Sequence, residues 1–216
     1  MKKYTTILFD LDGTLVDSGM GVTNSVAYAL NKFGIEPPPR EELFKFIGPP
    51  LFQSFREFCG FDAEKTTKAI EYYREYYKQK GILECTMYDG VLELMQSLKS
   101  KGYVISLATS KPEIFATQVV ENKGILPYLD HIAAATTDEK TRATKEAVIE
   151  YALTLCKEKD VSKILMVGDR HFDINGAKAF GIDSVGVTFG YGTQKELEEA
   201  GATYIVSSMK QLDESL

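Results

Sequence analysis

The chain has 216 residues, 44% of them hydrophobic and 26% charged, with a formal net charge of −6. That composition supports one sizeable core and a small second unit, and no apolar run is long enough to span a membrane. Lys and Arg do not cluster among aromatics, which excludes a nucleic acid polymer as the expected partner. An acidic protein that binds an anion must instead concentrate positive charge locally, through a metal or a few placed lysines.

The N-terminal run Thr5 to Phe9 is short, β-branched and stopped by Asp10. It predicts a buried parallel strand and is too short for a signal peptide. Residues from about Leu15 to Cys85 then look wholly helical. Val22–Phe33 has helical periodicity and ends at Gly34, Pro37 to Pro39 break the chain, and Leu51–Cys59 follows the turn Gly48-Pro49-Pro50. A long helix is expected over Ala63–Lys80, closed by Gly81.

Beyond this segment, helix and strand alternate. Helices are predicted at Val91–Lys101, from Pro112 to Gly124, at Lys145–Lys157, from Asp173 to Gly181 and after a Thr193/Glu196 capping box. Strands are predicted at Tyr103–Ala108, His131–Ala135, Lys163–Val167, Asp183–Val187 and Tyr204–Val206. Alternation of this kind means an α/β fold with a Rossmann-like parallel sheet and right-handed crossovers. The all-helical insert reads as a cap over residues 16–85, with the core built from 1–15 and 86–216. Hinges are expected near Leu15–Gly19 and Ile82–Tyr88.

Three apolar runs end on residues suited to phosphate chemistry: Asp10, Thr109 and Gly168-Asp169. In open α/β sheets, sites form at the carboxyl ends of strands where strand order reverses, so these residues are expected to converge. Asp10 and Asp12 flank Leu11 at a strand exit, and Gly13 permits the bend that turns both into a pocket. One carboxylate can attack phosphorus, and the other can protonate the departing oxygen and then activate water. Asp169 adds a hard oxygen ligand. Asp10, the backbone carbonyl of Asp12 and Asp169 form a set suited to Mg²⁺, which keeps several waters. Asp173, one turn on, could cap its helix, act on the metal through water, or orient Lys145.

Thr109 and the N–H groups from Ser110 onward, just before a helix, make a phosphate cradle. Lys145 at a helix start opposes the helix dipole and so suggests an anion nearby, with Lys140 and Arg142 as rivals on spacing. His171 is read as exposed, and His131 as preceding an edge strand. Tyr72, Tyr73, Tyr76 and Tyr77 fall at packing intervals and are read as cap core. Cys59, Cys85 and Cys156 lack C-x-x-C spacing, which suits reduced thiols in a cytoplasmic protein.

The set Asp10-Leu11-Asp12-Gly13-Thr14, Thr109, Lys145 and Gly168-Asp169 through Asp173 resembles the four motifs of the haloacid dehalogenase-like phosphohydrolases. The resemblance covers the whole chain. It implies a sheet of order 5-4-1-2-3, a helical cap after the first motif and magnesium-dependent phosphoryl transfer. It favours Lys145 over its rivals, through the pattern Arg142…Lys145…Val148-Ile149…Tyr151-Ala152-Leu153. Ile47-Gly48-Pro49-Pro50-Leu51, Tyr88-Asp89-Gly90-Val91, Thr109-Ser110-Lys111-Pro112-Glu113 and Phe189-Gly190-Tyr191-Gly192 are similar to the phosphoglycolate phosphatase and bacterial 5′-nucleotidase branch.

The resemblance therefore implies hydrolysis of a small phosphorylated metabolite by a monomer or weak homodimer. Asp10, Asp12 and Lys145 are its expected catalytic residues. Thr109, Ser110 and Lys145 would bind phosphate, and Asp10, Asp12, Asp169 and Asp173 would hold Mg²⁺. A β-phosphoglucomutase-like mutase would carry a histidine where Val22 stands, and dehalogenases lack the second aspartate, present here as Asp12. A non-catalytic phosphometabolite-binding protein would need a broken motif. Glu139-Lys140 replaces the usual Asp-Gly before Arg142, a loop change with no expected effect on catalysis.

Overall fold

The computed structural model describes residues 3–138 and 141–216. The chain divides into two compact units, one of residues up to Val16 together with Met87–Leu216, the other Asp17–Thr86.

In chain order the elements of the first unit begin with β1 (Thr6–Phe9) and the start of β2 (Val16–Asp17). Asp17–Thr86 then holds α1 (Gly19–Lys32), α2 (Arg40–Leu43), α3 (Leu51–Cys59), α4 (Ala63–Tyr76) and the start of β3 (Thr86–Met87). The first unit resumes with α5 (Val91–Ser100), β4 (Val104–Pro112), α6 (Glu113–Asn122) and β5 (His131–Ala135). It ends with α7 (Lys145–Leu155), β6 (Ile164–Gly168), α8 (His171–Ala179), β7 (Asp183–Val187), α9 (Gln194–Ala200), β8 (Tyr204–Val206) and α10 (Met209–Ser215). The chain's two passages between units, β2 and β3, pair as a short ribbon.

The large sheet is parallel, in the order β5-β4-β1-β6-β7-β8. Numbered within the sheet, this is 6-5-4-1-2-3: the expected 5-4-1-2-3 with Tyr204–Val206 added as a sixth, edge strand. Ile7, Leu8 and Phe9 are fully buried, as are Ile105, Leu107, Met166 and Val167. Burial on both faces explains why these strands read as unbroken apolar runs. On one face Leu8, Ala108 and Met166 pack against Val148, Ile149 and Ala152 of α7 and Ala177 of α8.

Register fixes the site. Phe9 pairs with Leu107 on one side and Val167 on the other. Asp10, Thr109 and Asp169 therefore lie together at the carboxyl ends of three adjacent strands, around β1, where chain order reverses.

The helical unit packs on its own aromatic core. Phe33 meets Phe61 and Tyr72 edge-on, Phe46 meets Phe55 and Phe58, and Tyr73 stacks on Tyr77. Tyr76 lies against Tyr28, so all four tyrosines pack within this unit. The long helix differs from expectation at its end. Its α-helical part stops at Tyr76, and Tyr77–Gly81 forms a wider π turn. Gly21 on α1 meets that turn so closely that a Cβ there would lie 2.0 Å from the Gly81 carbonyl oxygen.

Candidate active site

Asp10 leaves β1 with its N–H bonded to the Val167 carbonyl at 2.9 Å, and its side chain is buried. Gly13, at φ +82°, turns the following loop back, with its N–H on the Val16 carbonyl. The turn also makes room for Asp169: a Cβ on Gly13 would lie 2.2 Å from Asp169 Oδ2. A left-handed φ and zero clearance together explain a glycine here. Gly190, after β7, closes the other side. Its Cβ would meet the Gly13 carbonyl at 2.3 Å and Asp169 Oδ2 at 2.5 Å.

Lys145 joins three elements. It is the first residue of α7, capped by the Thr144 hydroxyl, and its ammonium is buried. Nζ lies 2.9 Å from Asp10 Oδ1 and 2.8 Å from Asp173 Oδ1, and donates to the Ala108 carbonyl at 3.0 Å. Burial works against its charge, but Asp10 and Asp173 outweigh burial and hold the ammonium above its ordinary range. The anions expected from a lysine at a helix start are thus Asp10 and Asp173. Arg142 points elsewhere: Nε donates to the Ala134 carbonyl, Nη2 pairs with Glu113, and the guanidinium lies 4.0 Å from the Tyr151 ring centre. Lys140, with the neighbouring Glu139, lies outside the described residues.

Asp173 also caps its own helix. Its Oδ2 accepts the Arg170 N–H at 3.1 Å while Oδ1 faces Lys145, so the helix-cap reading and the lysine-orienting reading describe two oxygens of one side chain. Asp169 is fully buried. Its Oδ2 accepts the Tyr191 N–H at 2.7 Å, and its Oδ1 has no hydrogen-bond partner among the described residues. Burial pushes the Asp10 carboxyl up to about 6; Lys145 opposes that rise, and Asp173 and Asp12 add to it. Burial also lifts Asp169 well above the usual carboxylate range, with Asp173 and Asp10 adding to the rise.

Three carboxylates thus cluster around one pocket, and Lys145 pairs with two of them, Asp10 and Asp173. Ligand oxygens of Asp10, Asp169 and Asp173 lie within 4.8 Å of one another, all on buried residues. A buried carboxylate oxygen with no partner is costly, and an all-oxygen donor set suits a hard divalent cation. The residues present fit such an ion.

The upward shifts have a measurable consequence in metal-free protein. Asp10 binds a proton below about pH 6 when folded, but only near pH 3.9 when unfolded. Between these values the folded state holds more protons, so stability rises as pH falls and is lost as pH climbs through 6. Metal-stripped protein is expected to melt at a higher temperature at pH 5 than at pH 7. A thermal melt in EDTA at both values checks it, and Asp169→Asn should shrink the difference.

The phosphate cradle differs from expectation. Helix α6 begins only at Glu113, so Thr109 and Ser110 sit on β4 itself. Register with β5 shifts between Thr109 and Pro112, and the Thr109 hydroxyl accepts the Lys111 N–H at 3.2 Å. The segment expected to form it is a bulged strand end, with Ser110 half-buried.

Asp12 is not in the carboxylate cluster. Its two side-chain oxygens each accept from Lys111 Nζ at 2.9 Å. Lys111 is the site residue that reasoning from sequence missed. A lysine directly after Thr-Ser at a strand end is its one local signal. His171 is half-exposed, with Nδ1 2.6 Å from Glu196 Oε1. Glu196 also accepts from Arg170 Nε and the His171 N–H. It braces the start of α8 from α9, while Thr193 caps α9.

A parallel α/β sheet with buried aspartates and a lysine at its carboxyl edge is the scaffold of a phosphoryl-transfer enzyme, and comparison with known proteins agrees. Residues 7–187 match the family model for haloacid dehalogenase-like hydrolases, and the chain belongs to that family. It is 36% identical over 214 residues to a 5′-nucleotidase of Pseudomonas aeruginosa, covering 99% of this chain and 96% of that protein. It is 35% identical to the tyrosine-protein kinase PtkA of Mycobacterium tuberculosis, covering 96% of this chain and 70% of that one. The crystal structure of a predicted phosphatase from Clostridium acetobutylicum superposes with a TM-score of 0.94 at 46% identity, covering 98% and 97% of the two chains. The protein is a phosphatase of the haloacid dehalogenase-like family. No helix among its described residues is long and apolar enough to cross a membrane.

Proposed function

We propose that the protein is a cytoplasmic Mg²⁺-dependent hydrolase of small phosphomonoesters, working through a phosphoaspartate at Asp10. The observation that carries this reading is the buried trio Asp10, Asp169 and Asp173, two of whose members, Asp10 and Asp173, pair with Lys145, with Asp10 at the strand exit beside Asp12.

Asp10, Asp169 and Asp173, with the backbone carbonyl of Asp12, are the groups that would hold Mg²⁺. When bound, the ion would supply positive charge for the transferring phosphoryl oxygens. The chain's own residues do the rest. An Asp10 oxygen attacks phosphorus as the bond to the leaving oxygen breaks, and Asp12 gives that oxygen its proton. Asp12 then takes a proton from water, the water oxygen bonds to phosphorus, and the Asp10–phosphorus bond breaks to release phosphate. Lys145, the Thr109 hydroxyl and the Ser110 N–H offset charge on the phosphoryl oxygens. The helical unit takes the cap role that the resemblance implies.

The similarity to a 5′-nucleotidase and the resemblance to the phosphoglycolate phosphatase branch leave two substrate classes in view, nucleoside 5′-monophosphates and phosphoglycolate. The test is phosphate release from 2-phosphoglycolate, nucleoside 5′-monophosphates, sugar phosphates, pyrophosphate and an aryl phosphate, each with Mg²⁺ and with EDTA. Metal-dependent release supports the reading, and the ranking separates the classes. No release from any of them would contradict it. A hexose phosphate isomerised without free phosphate would favour a mutase, which Val22 on α1 argues against.

A further inference from the structure

Lys111 is a buried ammonium with a defined partner. Its side chain is 6% exposed, and Nζ donates to both oxygens of Asp12 at 2.9 Å. Burying an ammonium costs several kcal/mol unless it is paired, so the position of this lysine is tied to that carboxylate.

The backbone explains how the lysine reaches it. Between Thr109 and Pro112, β4 slips register with β5, which places a bulge across Ser110 and Lys111. A bulge at a strand end re-aims the side chains it carries. The Thr109 hydroxyl holds this one by accepting the Lys111 N–H. The lysine then spans from β4 to the loop after β1, joining residues 99 apart in sequence.

The two lysines divide the carboxylates between them. Lys145 serves Asp10 and Asp173, and Lys111 serves Asp12. Asp10 and Asp12 are like charges that act on each other. Without Lys111, the Asp12 side chain would lose the cation that grips both its oxygens and would be repelled by its neighbour. We propose that Lys111 is the positioning residue for Asp12, holding that carboxyl in the orientation from which it meets the leaving oxygen and then the attacking water. This rests on Asp12 being the acid–base group of the proposed reaction. Lys111 transfers no proton and touches no reacting atom.

A lysine that merely ties β4 to the β1 loop would look the same in the structure but behave differently in the reaction. An alkoxide leaves poorly without a proton, whereas 4-nitrophenolate leaves unaided. The experiment is first-turnover kinetics of Lys111→Met in Mg²⁺. One substrate is the alkyl phosphate that wild type hydrolyses fastest, and the other is 4-nitrophenyl phosphate. The expected result is transfer from the alkyl phosphate slowed about 10²-fold with KM little changed, and the burst of 4-nitrophenolate slowed by at most about threefold. Lys111→Arg, which keeps a cation within reach of Asp12, should recover part of the alkyl rate.

Thermal melts confirm that each variant is folded, and Lys111→Gln replaces the methionine variant if that one is not. Equal slowing of both substrates, or no slowing of the alkyl phosphate, in a folded variant overturns the proposal. An inactive wild type, or an Asp12→Asn protein as active as wild type on the alkyl phosphate, overturns the underlying reading instead, and both are seen without any Lys111 variant.

Discussion

Asp10→Asn is expected to abolish phosphate release, by about 10⁴-fold or more in kcat, while the protein still folds. Asparagine has the shape of aspartate but cannot form the acyl phosphate. The fold should tolerate it because Asp10 is one of three clustered buried carboxylates, and its own carboxyl is already pushed up to about 6, chiefly by burial. Removing that charge relieves repulsion from Asp173 and Asp12 and leaves Lys145 paired with Asp173 at 2.8 Å. In metal-free protein near pH 7 the variant should therefore melt no lower than wild type. Steady-state phosphate release together with a melt in EDTA checks both halves. An active variant would remove Asp10 from the role of nucleophile.

Metal removal is expected to have the second large effect. EDTA should stop turnover, and Mg²⁺ should restore it. At 100-fold excess over its dissociation constant, Mg²⁺ should stabilise the fold by about 2.7 kcal/mol. In a chain of this size that is a rise in melting temperature of roughly 5–10 °C. Asp169→Asn should cancel the rise, since Asp169 Oδ1 is a buried carboxylate oxygen of the cluster with no hydrogen-bond partner among the described residues. The same variant should be more stable than wild type when both are metal-free at pH 7, because burial and the neighbouring carboxylates oppose the Asp169 charge. A melt series with and without Mg²⁺ on both proteins reads out every part of this. An undiminished Mg²⁺ shift in Asp169→Asn would place the ion elsewhere.

The parts of this site that are legible in sequence share one property: each lies where an apolar run stops. Asp10 and Asp169 follow fully buried strands, and an apolar run ending on a carboxylate is visible without knowing what packs beside it. Lys145 was visible as a cation at the wrong end of a helix. Lys111 was harder, because its meaning lies in a partner 99 residues away and in a bulge that no periodicity announces. The same bulge hid the true end of β4. Pro112 reads as a first-turn helix residue, but it is the cap before α6, and the strand continues up to it.

Local composition accounts for other differences. Helix α1 begins at Gly19, a turn before the expected Val22; Gly19 and Gly21 dilute helical propensity and so hide this first turn from a reading of the sequence. The Asp17 carboxylate compensates by accepting the Gly19 N–H at 2.9 Å. Thr193 and Glu196 have the spacing of a capping box, but Glu196 is engaged by Arg170 and His171. Tertiary contacts took a side chain that local rules had assigned.

The proposed reaction passes through a covalent phosphoryl group on Asp10, which can be trapped. Asp12→Asn, mixed with 4-nitrophenyl phosphate and Mg²⁺ and quenched in acid, should still form the acyl phosphate, because 4-nitrophenolate needs no proton to leave. It should then hydrolyse it slowly, because no base activates the water. Mass spectrometry of the peptide carrying Asp10 should show one added phosphoryl group, absent from Asp10→Asn. An unmodified peptide in a variant that still releases phosphate at the wild-type rate would mean that water attacks the substrate directly, contradicting the account.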